Sequence, residues 1–597
     1  LVGNPLQQTV VKVTNTGTIA LTLSPALTGD PSYSIVAAQS CGTQLAPGAS
    51  CNEVVTYAPT TPSAPASQTA VLNLNFGNAA SGTGSTVNLT GISAAMTAGT
   101  VTSTSNPLVA LYTITPPFAG NVTVNFGTTT AYGLQTWSVP TPNGGGPVSI
   151  EVAGMRANTA YHLQAMVSLQ NGVTANDIDH TFTTGVPVIS TPPVPFTPNL
   201  TVTTTPGTTP QPGIELINSL PSGLNTYGLY ATDLSGNVIW IYPFPDANTA
   251  GFIQGFKQLP NGDFLINIGA NSELPLEGGI PAGTLIAVRE IDLIGNTVKQ
   301  LTLAQLNSAL ATAGCTGCSN LTLLDFHHDV EVLPNGHWLV LANTFKNVVL
   351  NGQTTPTQVL GDVVIDVDTN MQPVWVWNEF DHLDVNRHPY MFPDWTHSNA
   401  LLYSSDDGNI IVSIRHQNWL VKVNYANGTG NGSIVWELGE GGSFTLQGGT
   451  DPTDWFYAQH GPSFFTTGNS GIYSLGLMDN GDDRQFPAGV NCGTGNAPPC
   501  LYTTVPVMQL NESTKIAALT FHQIVPTNLY NSFGGDTNSL QNGNVEYDLC
   551  GETTGTNSDV FEVTQTSNPQ TVWHMRSTGT QLFRTYRYSS LYPGVQW

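Results

Sequence analysis

Beyond residue 212 one motif recurs six times: a strand, a short turn and a second strand that tends to end in a hydrophobic-Trp pair. The copies are YGLYATDLSGNVIWIY from 227, TLIAVREIDLIGNTVKQL from 284, DVVIDVDTNMQPVWVW from 362, WLVKVNYANGTGNGSIVWEL from 419, VPVMQLNESTKIAALTF from 505 and DVFEVTQTSNPQTVWHM from 559. A lone hairpin cannot bury its apolar face, so repetition of this kind demands neighbours stacked on one another. Between the copies lies a second motif, an apolar strand entering a Gly-containing turn, as in FIQGFKQLPNGDFLINI and FHHDVEVLPNGHWLVLA. Two hairpins per unit, six times over, predict an all-β six-bladed β-propeller of four-stranded blades spanning residues 212 to 597. The final FRTYRYSSLYP has no hairpin partner of its own and is expected to pair with the strands from about 212 to 232, which would remove exposed sheet edges. Only LTLAQLNSALATAG, residues 301 to 314, has a helical period, and it reads as an insertion between blades.

The N-terminal third is organised differently. Residues 1 to 93 alternate short strands and turns; 94 to 186 form a second such segment; the Pro- and Thr-rich stretch 187 to 211 reads as a semi-rigid linker. Two β-sandwich modules ahead of the propeller are therefore predicted. In the first, the signatures TNTGT (Thr14 to Thr18) and CGTQLAPGASC (Cys41 to Cys51) resemble immunoglobulin-like modules of the ASPM-SPD-2-Hydin type. In the second, GMRANTAYHLQAMVSL resembles the late-strand motif of fibronectin type III domains. Modules of the first type carry one more strand ahead of the position of Leu1, so either the sequence is truncated there or a neighbouring chain could complete that sheet, giving a homo-oligomer or assembly through these modules.

At 597 residues the chain exceeds what one core supports, in keeping with several domains. Only 14 Lys plus Arg face 39 Asp plus Glu, and the net charge of -25 repels nucleic acid and anionic membrane surfaces. No apolar run is long enough to span a bilayer. The chain begins at Leu1 rather than Met, as expected once a signal peptide is removed, and a periplasmic, extracellular or cell-surface location follows. In that setting the close cysteine pairs Cys41 with Cys51, Cys315 with Cys318 and Cys492 with Cys500 read as loop-closing disulfides, leaving Cys550 over. The C-x-x-C of Cys315 and Cys318 is also compatible with a redox motif or half a zinc site, but neither a βαβ context nor a second half-site accompanies it.

Aligning the repeats on their turn glycines brings Gln254, His328, His397, His460 and His522 to one register position, just before each inner strand. Four histidines at five equivalent sites, from 12 in the chain, predict a ring of imidazoles converging at one mouth of the propeller. His327, His388 and His416 fall outside the register and read as ordinary hydrogen-bonded core residues, His327 ambiguously because it adjoins His328. Such a ring could hold a metal, with Asp329 and Asp394 as neighbouring carboxylates. It could equally transfer an anionic group, one imidazole attacking while the others and a guanidinium, with Arg415 as the candidate, hold the oxygens.

The segments HHDVEVLPNGHWLVL, DWTHSNALLY, IVSIRHQNWLVKV, YAQHGPSFF, LMDNGDDR and the closing FRTYRYSSLYPG together resemble bacterial aryl-sulfate sulfotransferases, the arylsulfotransferase family, over residues 200 to 597. The resemblance implies a six-bladed propeller that moves a sulfuryl group from a phenolic sulfate donor to a phenolic acceptor by a ping-pong route, without a nucleotide sulfate and with no cofactor. It implies that His460 is the nucleophile and becomes a transient sulfohistidine, with His328, His397 and Arg415 holding the sulfate. Asn399, His327, and either His522 or Thr520 are the further substrate-binding candidates. DNGDD, residues 479 to 483, reads as a plain turn rather than a calcium loop, since it lacks the spacing of acidic ligands. Two rival readings stay open: an extracellular structural, adhesive or filament-forming protein that keeps the propeller without the activity, and a quinone- or metal-dependent oxidoreductase on a similar scaffold.

Overall fold

A computed structural model describes residues 7–60, 67–78, 84–169, 172–189, 193–220, 227–244, 251–315, 317–318, 321–482, 484, 501–551 and 556–597. Nearly all of its regular structure is β. The chain divides into two compact units: Leu1–Thr102 with Ala110–Val152 and Ala160–Thr183, and Ser103–Val109 with Ala153–Thr159 and Thr184–Trp597.

In the first unit, the strands Gln7–Thr14, Ser50–Tyr57 and Tyr33–Ile35 form one sheet; Gln44–Leu45, Leu21–Gly29, Gln68–Phe76 and Ser85–Gly91 form a second. Val13 and Val55 of the one meet Leu23, Leu72 and Leu89 of the other in a shared apolar core. Strand Gln68–Phe76 alternates buried and partly buried residues along its middle, the period of a strand that faces a core on one side. A disulfide joins Cys41 to Cys51. Further along, Gly120–Gly127 pairs with Ala160–Leu169, and Ala110–Ile114 pairs with Val148–Val152. Their inward faces bury Tyr112, Val124, Phe126, Ile150, Leu163 and Val167.

The described residues of the second unit carry six sheets of four or five strands, with strand order as follows. The first runs Val238–Ile241, Leu229–Asp233, Ile214–Ser219, Leu582–Tyr588; the second Phe252–Gln258, Phe264–Gly269, Ala287–Ile291, Thr297–Thr302; the third Asp325–Val332, Trp338–Val348, Thr357–Val367, Pro373–Asn378. The fourth runs Ser398–Ser404, Asn409–Ile414, Trp419–Val423, Ile434–Leu438. The fifth is His460–Asn469, Ile472–Met478, Thr504–Asn511, Ile516–Ile524, extended by the parallel Thr445–Gln447, and the sixth is Thr537–Ser539, Asn544–Leu549, Ser558–Thr564, Thr571–Ser577, extended by Leu200–Thr204. Each of the six repeated phrases is the outer hairpin of one sheet. The last strand, Leu582–Tyr588, pairs with Ile214–Ser219, as its want of a partner in the sequence predicted.

The recurrent tryptophans tie four of the six sheets to the next. Trp240 of the first sheet donates its indole N–H to Leu293 O in the turn of the second (2.7 Å). Trp377 of the third donates to Gly432 O in the turn of the fourth (2.9 Å), and Trp436 of the fourth to Glu512 Oε1 in the turn of the fifth (3.0 Å). Trp573 of the sixth reaches back to Leu234 O in the turn of the first (3.0 Å). A buried indole thus supplies both apolar area and a satisfied donor. The apolar core is correspondingly divided among clusters between successive sheets, including one that joins the sixth to the first through Val560, Trp573, Met575, Ile217, Tyr230 and Ile241.

The predicted helix over 301 to 314 is present as Leu303–Leu310. Thr302 caps it, its side chain accepting from Gln305 N while the Gln305 side chain accepts from Thr302 N, which satisfies two otherwise orphaned amides. Leu306 and Leu310 pack into the core between the second and third sheets. Cys315 and Cys318 are bonded to each other, which rules out the zinc half-site reading for this state. Cys550 is a buried free thiol. The expected pair Cys492 and Cys500 lies outside the described residues. Among the described residues no helix is long and apolar enough to cross a membrane.

Candidate active site

The inner strands of the second, third, fourth and fifth sheets share a local irregularity. Their pairing register shifts between Ile253 and Gly255, Phe326 and Val330, Ser398 and Ala400, and His460 and Ser463. A bulge of this kind releases residues from the ladder and re-aims their side chains. His328 and His397 adopt left-handed backbone conformations, with φ of 56° and 49°, which only the surrounding strands can hold for non-glycine residues. Gly461 follows His460 at φ 46°, with Asp536 pressed against it so closely that a Cβ would clash, so this position requires glycine.

The result is a cavity of about 600 Å³. Its polar wall carries Gln254, His328, His397, Arg415, His460 and Asp482; Phe252, Tyr390, Phe533 and Phe583 supply aromatic surface. The ring centroids of His328 and His397 are 5.0 Å apart, and those of His328 and His460 are 6.2 Å apart. His460 is 2 % exposed.

The hydrogen-bond pattern fixes the proton positions. Asn480 donates through Nδ2 to Asn531 O (3.0 Å) and Gly534 O (3.1 Å), so its Oδ1 must be the atom facing His460 Nδ1 at 2.7 Å. His460 therefore carries its proton on Nδ1 and keeps a lone pair on Nε2. Burial, and then the positive charge of Arg415, hold its pKa well below the ordinary imidazole value, so the ring is neutral and nucleophilic.

His328 meets His327 Nδ1 to Nδ1 at 2.9 Å, and His327 Nε2 donates to Asp362 Oδ1 at 3.1 Å. Burial opposes charge on His327, but Asp362 more than offsets it and raises its pKa, whereas burial and the adjacent His397 push His328 well down. The proton between them thus belongs to His327, and His328 offers Nε2–H as a donor. His397 Nδ1 lies 2.5 Å from Asp394 Oδ2. Its ring stacks on His416 at 4.5 Å.

Arg415 is held from two sides. Its Nη1 donates to His416 Nε2 (2.8 Å) and its Nη2 to Asp482 Oδ2 (2.7 Å); among the described residues its buried Nε has no partner. His416 Nδ1 donates to Asp394 O at 2.7 Å, and burial keeps this ring neutral, as an acceptor for a guanidinium requires. A neutral nucleophile beside N–H donors and a guanidinium, enclosed in low dielectric, is suited to capture and release a small anionic group.

Asp394, His397 and His416 offer ligand atoms within 4.8 Å of one another. Their contacts make them a hydrogen-bonded set: His397 Nδ1 is engaged by Asp394, both nitrogens of His416 are engaged, and the adjacent Arg415 cation opposes a second cation there. Asp329, the other carboxylate considered for a metal, accepts from Leu401 N and pairs with Lys257 and Arg584 instead.

Other expected residues lie elsewhere. His327 stands behind His328, one layer removed from the cavity. Asn399 is fully buried, and its Nδ2 is spent on Gln459 O at 2.7 Å, so it braces the His460 loop rather than lining the cavity. His522 and Thr520 sit on the outer strand Ile516–Ile524 of the fifth sheet; Thr520 is exposed and donates to Val507 O. The register alignment failed there because LTFHQ ends an outer hairpin, while the inner strand of the sixth sheet is the short Thr537–Ser539. His416, Asn480 and Asp482 were missed. The last two lie in DNGDD, which is more than a turn: Asp479 accepts from Tyr457 N and pairs with Arg484, bracing the approach to His460.

A family model described as Arylsulfotransferase (ASST) matches residues 200–584. The chain belongs to the arylsulfotransferase family. Every cavity-lining residue named above falls within the matched span, and the assignment supports a sulfotransferase enzyme. None of the curated proteins matches the chain. Among solved structures, the chain shows 10% identity and a TM-score of 0.13 to the CupB2 chaperone of Pseudomonas aeruginosa, covering 30% of this chain and 92% of that one. It shows 8% identity and a TM-score of 0.25 to a mutant NanB sialidase of Streptococcus pneumoniae, covering 89% of this arylsulfotransferase chain and 75% of that one. Likenesses this weak bear on neither fold nor activity.

Proposed function

We propose that this arylsulfotransferase moves a sulfuryl group from a phenolic sulfate ester to a phenol in two steps, through a sulfohistidine on His460. The observation that carries the reading is the Asn480 contact, which leaves the Nε2 lone pair of His460 free in a cavity shared with His328, His397 and Arg415. In the first step Nε2 attacks sulfur and the phenolate leaves; in the second a phenol oxygen attacks sulfur and Nε2 leaves. The Nε2–H of His328, the ring of His397 and the guanidinium of Arg415 hold the sulfuryl oxygens as their charge is redistributed. The aromatic wall of Phe252, Tyr390, Phe533 and Phe583 matches the ring of a phenolic substrate.

The six sheets are read as the blades of a propeller over residues 212 to 597, with the strand pair Ile214–Ser219 and Leu582–Tyr588 as its closure. Residues 1 to 93 and 94 to 186 are read as two immunoglobulin-like modules; the stretch 187 to 211 expected as a linker is in part strand, since Leu200–Thr204 pairs with Thr571–Ser577 of the sixth sheet. The Cys41–Cys51 and Cys315–Cys318 disulfides favour an exported protein.

The test is incubation with 4-nitrophenyl sulfate and excess phenol, following nitrophenolate release and searching by mass spectrometry for one sulfuryl group on the peptide that contains His460. Acceptor-dependent release with that adduct supports the reading. Turnover without an adduct in rapidly quenched samples, or undiminished in His460→Asn, overturns it.

A further inference from the structure

We propose that Asp482 is the general base that takes the proton of the acceptor phenol, and the acid that returns it to the phenolate departing from the donor. The proposal rests on the sulfohistidine reading. While Nε2 of His460 carries the sulfuryl group it cannot accept a proton, yet the phenol must lose one as its oxygen bonds to sulfur. Another group on the cavity wall has to supply that function. His328 presents an N–H there, its Nδ1 being engaged by His327. Glu273 lines the same cavity, but among the described residues no hydrogen bond or ion pair joins it to Arg415 or to a histidine of the set.

Asp482 is placed for the task. Its side chain is 9% exposed and lines the cavity beside His460 and Arg415. Arg415 Nη2 donates to its Oδ2 at 2.7 Å, so the guanidinium that would hold the sulfuryl oxygens also holds the carboxylate next to them. Tyr390 donates to Oδ2 at 3.2 Å and Tyr530 to Oδ1 at 3.3 Å, from segments on two sides. A phenol hydroxyl that replaces one of these weak contacts would sit between carboxylate and sulfur.

The acid–base properties fit this geometry. Burial pushes the Asp482 carboxyl up to about 6; the attraction of Arg415 and the two tyrosine hydroxyls work against that rise, and Asp479 adds to it. The group is thus ionised at neutral pH and more basic than an ordinary carboxylate. The step balances: the phenol O–S bond forms, the S–Nε2 bond breaks with its electron pair returning to His460, and the phenol proton passes to Asp482. Sulfation of His460 by the next donor reverses this, and Asp482 gives its proton to the leaving phenolate oxygen.

Asp482→Asn provides the test, with the two half-reactions measured separately. The nitrophenolate of 4-nitrophenyl sulfate leaves with little need of a proton, so the nitrophenolate burst and the His460 adduct are expected within about threefold of the unmodified protein. Transfer from the adduct to unactivated phenol is expected to fall by about 10²–10⁴-fold, the usual worth of a positioned base, and acceptors already ionised as phenolates should recover most of it. The rise in transfer rate through about pH 6 should vanish. Tyr530→Phe, which removes one donor to the carboxylate, should move that rise to higher pH.

Parallel loss of the burst and of transfer in Asp482→Asn would mean that Asp482 only anchors Arg415, and would overturn the proposal. So would unchanged transfer to phenol, or a pH profile that Tyr530→Phe leaves in place. Absence of an adduct in the unmodified protein would sink the sulfohistidine reading itself and this proposal with it.

Discussion

Nδ1 of His460 lies 2.7 Å from Oδ1 of Asn480, an amide whose nitrogen is already committed to two backbone carbonyls. The orientation of a neutral amide thereby decides which imidazole nitrogen can attack. Asn480→Ala is expected to lower the rate of His460 sulfation by about 10²-fold or more, since both ring orientation and tautomer are released. Stopped-flow nitrophenolate release, alongside circular dichroism to establish folding, reads this out. A burst rate unchanged in a folded variant would count against the tautomer argument.

The His327–Asp362 pair sets the donor state of His328. Removing the carboxylate charge in Asp362→Asn should lower the raised pKa of His327, because a close opposite charge favours the charged ring. Above the new value His327 becomes neutral, and the Nε2–H of His328 is no longer enforced. The alkaline limb of donor binding should accordingly move to lower pH, measured as KM against pH.

Glu379 is fully buried and accepts from Ser398 Oγ at 2.6 Å. Burial, reinforced by Asp362, pushes it up to about 8. Its folded pKa lies above its unfolded value, so its favourable contribution is complete below the unfolded value near 4.5 and is lost as pH rises towards 8. Over that window this one group costs up to about 1.4 kcal/mol per pH unit. Glu379→Gln should flatten the decline of Tm between pH 5 and 8, and an unchanged slope would show that the carboxyl titrates normally.

The Cys41–Cys51 bond closes a short loop in the first unit, with a sequence separation of 10. Replacing both cysteines by serine is expected to destabilise that unit by about 2–3 kcal/mol through the freed unfolded chain. Calorimetry should show an earlier transition, while sulfuryl transfer by the second unit stays at its original rate.

His522→Ala should leave turnover within about twofold of the starting protein. Its strand is an outer one of the fifth sheet, remote in the ladder from the inner strand that begins at His460. A large loss of activity would restore it to the site.

Strand-turn periodicity, the Trp phrases and the unpaired last strand were legible in the sequence because each hairpin buries a like face against a like neighbour, so that the same physical demand recurs at each repeat. Three of the histidines, His328, His397 and His460, were legible because a shared register position implies a shared place in space, and Arg415 because the transfer of an anionic group calls for a guanidinium near them. The tertiary structure alone decided the rest. His416 and Asn480 break no periodicity, and they matter only because packing brings one ring against Arg415 and one amide against His460. Asp482 sits in a sequence that reads as a turn, and only its burial beside Arg415 distinguishes it. His522 shows the converse, since a residue can share a local pattern and still lie on the wrong strand. Local pattern follows from the chain's own period of hydrophobic and turn residues, whereas proton positions and charge depend on distances between segments far apart in sequence.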